Sequence, residues 1–161
     1  MSDVPAHTQR RILIVDDIED NRFVLDRHLK RAGFATEMSE DGMSALRMIA
    51  ASPPDVVLLD WMMPGLSGLE TLQTIREKHD ENLLPVIMCT AIGEESSVVV
   101  AIKAGANDFV MKPISFPILM ARLKSQLARK DAVDALRREN SNLENTLVQR
   151  TRDLMNSQRD N

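Results

Sequence analysis

The stretch Asp55-Val56-Val57-Leu58-Leu59-Asp60-Trp61-Met62-Met63-Pro64-Gly65 decides how the rest of the chain is read. Its first five residues carry four consecutive apolar side chains and predict a strand with no polar face. A strand of that kind suits the centre of a parallel sheet, covered on both sides so that neither face meets water. It runs into a carboxylate, Asp60, and then into a loop, Trp61 to Gly68, whose glycines allow the backbone to approach an anion closely.

Outward from this strand the same grammar repeats. Apolar, β-branched runs recur at Ile12 to Val15, Pro85 to Cys89 and Asp108 to Met111, with a weaker one at Ala35 to Ser39. Between them, Asn21 to Ala32, Gly42 to Ala51, Leu69 to Lys78 and Glu94 to Ala104 carry apolar residues at three- and four-residue spacing, the mark of amphipathic helices. Strands alternating with helices predict βαβ units and a parallel sheet with helices on both faces.

In such a sheet ligands bind beyond the carboxyl ends of the strands, which directs attention to the polar residues there. The first strand ends in Asp16-Asp17, the third in Asp60, the fourth in Thr90 and the fifth in Lys112-Pro113. Three carboxylates at one edge repel one another unless a cation sits among them, and their hard oxygen donors suit Mg²⁺. A carboxylate can also attack phosphorus to give an acyl phosphate, and Asp60 is the candidate nucleophile. Lys112 and the Thr90 hydroxyl supply the positive charge and the donor that a phosphoryl group requires. Taken singly, each of these residues reads as a cap or a solvated side chain; together at one strand edge they read as a phosphoryl site.

At these residues the chain resembles the response-regulator receiver family of two-component signalling. The resemblance covers about Arg11 to Leu127. It is carried by Ile12-Leu13-Ile14-Val15-Asp16-Asp17, Leu58-Leu59-Asp60-Trp61-Met62-Met63-Pro64-Gly65, Met88-Cys89-Thr90-Ala91 and Val110-Met111-Lys112-Pro113, in that order and spacing. It implies a flavodoxin-like α/β fold, a five-stranded parallel sheet of order 2-1-3-4-5 between helices. It also implies a phosphoryl group accepted on Asp60 from a histidine kinase or phosphotransfer protein in a Mg²⁺-dependent reaction. By the same resemblance Asp17, Asp60 and the Met62 carbonyl bind the metal directly and Asp16 binds it through water. Thr90, the Ala91 amide and Lys112 hold the phosphoryl oxygens, and the Lys112-Pro113 bond is cis. Thr90 and Phe109 stand where the family places its switch pair, Phe109 without a hydroxyl. Met62 and Ile92, two residues past Asp60 and Thr90, are apolar and cannot orient a hydrolytic water, from which we expect a long-lived phosphoaspartate.

Two other functions compete. A haloacid-dehalogenase-like phosphatase shares the Asp, Thr, Lys and Mg²⁺ but needs an acid two residues after its nucleophile, where this chain has Met62. A phosphorylation-independent scaffold would leave these residues without a task.

From Pro117 onward no strand or glycine follows, and a charged helical pattern runs to about Leu154. Val133, Leu136, Leu143, Leu147 and Leu154 fall on alternating three- and four-residue steps, with Asn140 and Arg150 completing the seam. This predicts a coiled-coil-like extension over residues 128–155, either a homodimer interface or a stalk toward an effector domain. In a parallel pair Glu139 would face Glu144, so both orientations stay open. Residues 1–10 and 156–161 read as tails.

The composition sets outer bounds. Among 161 residues, 43% are apolar, enough for one core plus an appendage. With 24 acidic against 20 basic residues the net charge of −4 argues against direct nucleic-acid binding. No run approaches the ~20 apolar residues of a membrane span, so the expected location is cytoplasmic. The single cysteine, Cys89, lies in an apolar run and reads as a buried core thiol rather than a nucleophile or metal ligand.

Overall fold

The computed structural model describes residues 9–91 and 95–159. Five strands alternate with five helices: β1 (Arg11–Val15), α1 (Glu19–Arg31), β2 (Ala35–Ser39), α2 (Gly42–Ala51), β3 (Val56–Asp60), α3 (Gly68–Lys78), β4 (Val86–Ala91), α4 (Glu95–Lys103), β5 (Asp108–Lys112) and α5 (Phe116–Arg159). All neighbouring strands pair in parallel in the order β2-β1-β3-β4-β5. The expected five-stranded α/β sheet and its strand order are therefore observed.

The two-residue period of the strands divides the core into two layers. Leu13, Val15, Val57, Leu59, Val86 and Met88 face one way and meet Ala45, Ile49, Leu72, Ile75 and Ala101 from α2, α3 and α4. Ile12, Ile14, Val56, Leu58, Ile87 and Cys89 face the other way and meet Leu25, Leu29, Leu119, Leu123 and Leu127 from α1 and α5. All five residues of β3 are buried, as a strand apolar on both faces requires.

Local chemistry sets the helix ends. Asp41 caps α2 by accepting from the Ser44 amide at 2.7 Å, and Ser67 caps α3 by accepting from the Glu70 amide at 3.2 Å. α1 is closed by Gly33 at φ +98°, a conformation that favours glycine. Between α3 and the β4–β5 edge, the Arg76 guanidinium donates to the carbonyls of Gly105, His79 and Leu84 and to Asn107 Oδ1.

α5 departs from the expectation at one end. It runs unbroken to Arg159, taking in residues 156–159 that read as tail, because Asn156, Ser157 and Gln158 tolerate a helix even where they contribute nothing to the seam. Its first part covers the sheet. Three ion pairs then hold it at the floor of the sheet, where the strands begin: Arg10 with Asp131, Lys130 with Asp55 at 3.2 Å, and Arg137 with Asp80 at 3.2 Å. Arg10 thus belongs to the folded body rather than to a tail, while residues 1–8 and 160–161 lie outside the described range. Beyond Arg137 the helix is exposed along its whole length. Among the described residues no helix is long and apolar enough to cross a membrane.

Candidate functional site

The register of the sheet assembles the site. β1 and β3 align Val15 with Leu59, which brings Asp16 and Asp17 beside Asp60. β4 aligns Asp60 with Cys89, and β5 aligns Ala91 with Lys112. Asp60, Thr90, Ala91 and Lys112 are themselves the last residues of their strands or next to last, so ladder hydrogen bonds fix their backbones.

One oxygen from each of Asp16, Asp17 and Asp60 lies within 4.8 Å of the others. Lys112 Nζ sits 2.9 Å from Asp60 Oδ1 and 3.2 Å from Asp16 Oδ2. Burial pushes the Asp60 carboxyl up to about 6; the hydrogen bond from Lys112 opposes the rise and the Asp16 charge adds to it. Lys112 is held above its ordinary value: burial works against its charge, but the hydrogen bond and charge of Asp60, reinforced by Asp16, outweigh it.

The three carboxylates are not equivalent. Asp16 is buried, and both its oxygens are engaged, Oδ1 by the Ile18 amide at 2.9 Å and Oδ2 by Asn21 Nδ2 at 3.4 Å and Lys112. Asp17 is exposed. Thr90 is 1% exposed, and its Oγ1 has no hydrogen-bond partner among the described residues. A buried hydroxyl without a partner costs free energy on the order of 1–3 kcal/mol, which a ligand oxygen can recover. These hard oxygen donors fit a divalent cation such as Mg²⁺, and the orphaned hydroxyl fits an anionic oxygen beside it.

The remaining expected residues lie as follows. Met62 is in the β3–α3 loop with its side chain exposed, Ala91 closes β4, and Ile92 falls outside the described residues. Lys112-Pro113 is cis. Phe109 is half-buried against the α2–α3–α4 core layer rather than fully enclosed, and Trp61 packs against the same layer. Cys89 is buried, its thiol pushed up to about 12 by burial. The glycines of the Trp61–Gly68 loop are required by the chain's own backbone. Gly65 takes φ +76°, and a Cβ on Gly68 would lie 2.2 Å from the Asp60 carbonyl oxygen.

Two contributors were not visible in advance. Arg22 donates to the Asp16 carbonyl at 2.7 Å, and Asn21 reaches the Asp16 carboxylate, both from the start of α1. Their only signal is their place in the turn after Asp16-Asp17. Beside them a cavity of about 280 Å³ opens between α1 and the β5–α5 connection, lined in part by Val24, His28, Lys112 and Phe116.

Residues 12–124 match the family described as the response regulator receiver domain. The chain is 40% identical over 119 residues to the phosphate regulon transcriptional regulatory protein PhoB of Rhizobium meliloti (strain 1021), covering 74% of this chain and 52% of PhoB. It is 39% identical over 152 residues to the response regulator MprA of Mycobacterium tuberculosis (strain ATCC 25618 / H37Rv), covering 92% of this chain and 64% of MprA. The chain thus spans about half to two thirds of the length of these relatives. Among solved structures, the receiver domain of NtrX from Brucella abortus superposes with a TM-score of 0.69 at 35% identity, over 73% of this chain and 98% of that one. A response regulator from Chloroflexus aurantiacus J-10-fl gives 0.71 at 32%, over 75% and 99%. Strand order, the acidic edge and the family match agree, and the chain belongs to the response regulator receiver family of two-component signalling.

Proposed function

We propose that the chain is a switch that takes a phosphoryl group on Asp60 from a histidine kinase or phosphotransfer protein and reports its state through α5. The observation that carries this is the convergence on one strand edge of a buried carboxylate, a lysine 2.9 Å from it and a buried threonine hydroxyl without a partner among the described residues.

The chemistry follows from those groups. An oxygen of Asp60 attacks phosphorus in line with the bond to the donor imidazole nitrogen; that bond breaks and its electron pair stays on nitrogen. Lys112 already faces Asp60 Oδ1, so it meets the charge of the phosphoryl oxygens without reorganising. The Thr90 hydroxyl turns to donate to a phosphoryl oxygen and gains the partner it lacks, and the Ala91 amide donates to another. Half-buried Phe109, packed at the margin of the core layer, is the aromatic that would bury further as Thr90 moves. Asp17, Asp60 and the Met62 carbonyl would hold Mg²⁺, with Asp16 acting through water, a role that fits its two engaged oxygens. When bound, the ion neutralises the acidic edge and the incoming phosphoryl charge.

Output runs through α5, where Leu136, Leu143, Leu147 and Leu154 stand exposed beyond the receiver. A homodimer along this stem is the reading that covers them. An effector domain or protein acting through the same stem is the alternative route.

Trp61 fluorescence during titration with Mg²⁺ and then beryllofluoride tests the acceptor site. A saturable change in the wild type, absent in Asp60→Asn, is expected. No response in the wild type would leave a phosphorylation-independent scaffold.

A further inference from the structure

The exposed leucines of α5 lie on one line. Leu136, Leu143, Leu147 and Leu154 are 56–68% exposed, whereas Leu119, Leu123, Gln126 and Leu127 of the same helix are buried on the sheet. At about 100° per residue, the exposed line is turned roughly 120° from the docked face. The receiver therefore does not cover it, and a second helix can lie along it in either direction.

Two polar residues interrupt the line, Asn140 and Arg150. In a parallel pair each residue meets its own copy, so Arg150 stacks on Arg150 in a desolvated layer, two like charges with no counter-ion between them. The antiparallel alternative, with Leu143 opposite Leu147 of the second copy, removes the Arg150 self-contact and puts the two polar residues in shared layers. Leu136 then meets Leu154, Asn140 meets Arg150, Leu143 meets Leu147, and the layers repeat in reverse beyond a centre level with Asn145. The Arg150 guanidinium donates to the Asn140 side-chain oxygen, a neutral acceptor in place of a second positive charge, and the remaining donors of both groups turn to water at the rim. The rims do not decide between the two. Parallel pairing sets Glu139 against Glu144, antiparallel sets Glu139 against Asp153 and Glu144 against itself, and exposed charges of this kind are screened. Only the central layers discriminate.

We infer that α5 pairs with α5 of a second copy in the antiparallel sense, in the register Leu143 to Leu147, with the receivers at opposite ends. This rests on the reading of the stem as a dimer surface. In this register Arg159 of the second copy lies level with Asp131, so the described stems overlap from the receiver floor outward and the receivers stand at opposite ends of the pair.

Disulfide trapping tests it. Leu136→Cys and Leu154→Cys are made in separate chains; both positions are exposed, so neither change touches the core. They lie 18 residues, about 27 Å, apart along the helix, far beyond disulfide reach. Antiparallel pairing predicts that neither variant alone forms a covalent dimer under mild oxidation and that an equal mixture does, in the heterodimer share. Covalent dimers from each variant alone would overturn the orientation. No covalent dimer from the mixture, with a monomer mass by light scattering, would overturn the dimer itself. The beryllofluoride response of Trp61 in the same variants reports separately on Asp60, so either failure leaves the phosphoacceptor reading to its own test. Buried Cys89 is common to all samples and is controlled by the parent chain.

Discussion

Replacing the proposed phosphoacceptor with Asn should stabilise the metal-free protein at neutral pH and not at acidic pH. The Asp60 carboxyl titrates at about 6 in the folded chain against an ordinary 3.8, chiefly because it is buried. Below the lower value both folded and unfolded chains are protonated there, and the group contributes no pH dependence. As pH rises through the interval, the unfolded chain ionises first, so the fold loses stability until the folded pKa is passed, and the loss then stays constant. At about 1.4 kcal/mol per pH unit between the two values, the full loss is on the order of 3 kcal/mol. Asn carries no charge and removes this slope. It also gives up the charge-assisted bond to Lys112, which keeps Asp16 at 3.2 Å. The value of about 6 already contains that bond, so it is not subtracted again, and the gain for Asp60→Asn between acidic pH and about pH 7.5 is on the order of 3 kcal/mol. Urea unfolding in EDTA at about pH 4 and about pH 7.5 reads the difference. Added Mg²⁺ should then raise the wild type alone, through binding to the folded state. A wild-type stability that does not fall relative to Asp60→Asn between the two pH values would refute the reasoning.

Lys112→Met should cut phosphorylation of Asp60 by a small-molecule phosphodonor at least about tenfold, read on a phosphate-affinity gel, since it removes the charge facing the transferred group. An unchanged rate would remove Lys112 from the site. Arg76→Ala withdraws donors from Gly105, His79, Leu84 and Asn107 and should cost about 2–4 kcal/mol in urea unfolding, without altering Mg²⁺ affinity. Phosphorylated protein should keep its phosphoryl group for minutes or longer at neutral pH, and Met62→Glu should shorten that lifetime; loss within seconds in the wild type would count against an apolar residue at this position slowing hydrolysis. Leu143→Asp with Leu147→Asp should yield monomers by light scattering, and an unchanged dimer mass would place the interface elsewhere.

The fold was legible where burial leaves no choice. β1, β3 and β4 are almost wholly buried, and their apolar runs announce them. β2 is an edge strand with one buried residue, so Thr36 and Glu37 break its pattern and the signal fades. Asp16, Asp17, Asp60, Thr90 and Lys112 were legible as a group because each follows or closes an apolar run, and a parallel sheet brings such ends together. Arg22 and Asn21 were not, because a polar residue in the first turn of a helix looks the same whether it meets water or the carbonyl and carboxylate of Asp16. Arg76 was hidden for the same reason: its acceptors are mostly backbone carbonyls, which leave no trace in side-chain identity. Gly68 is legible as a glycine of the loop but its packing reason is not, since the neighbour that excludes a side chain there is the Asp60 backbone.

The unbroken course of α5 makes one rod both lid and pointer. Its first turns close the lower layer of the core, and the same rod emerges with no glycine, proline or loop to absorb rotation. From Asp131 to Arg159 it extends about 43 Å, so a 10° tilt about the Arg10, Lys130 and Arg137 anchors would carry the far end roughly 7 Å sideways. A rearrangement at Asp60 therefore need only alter how Leu119 and Leu123 ride on the strands for the displacement to arrive magnified at Leu154, by leverage alone.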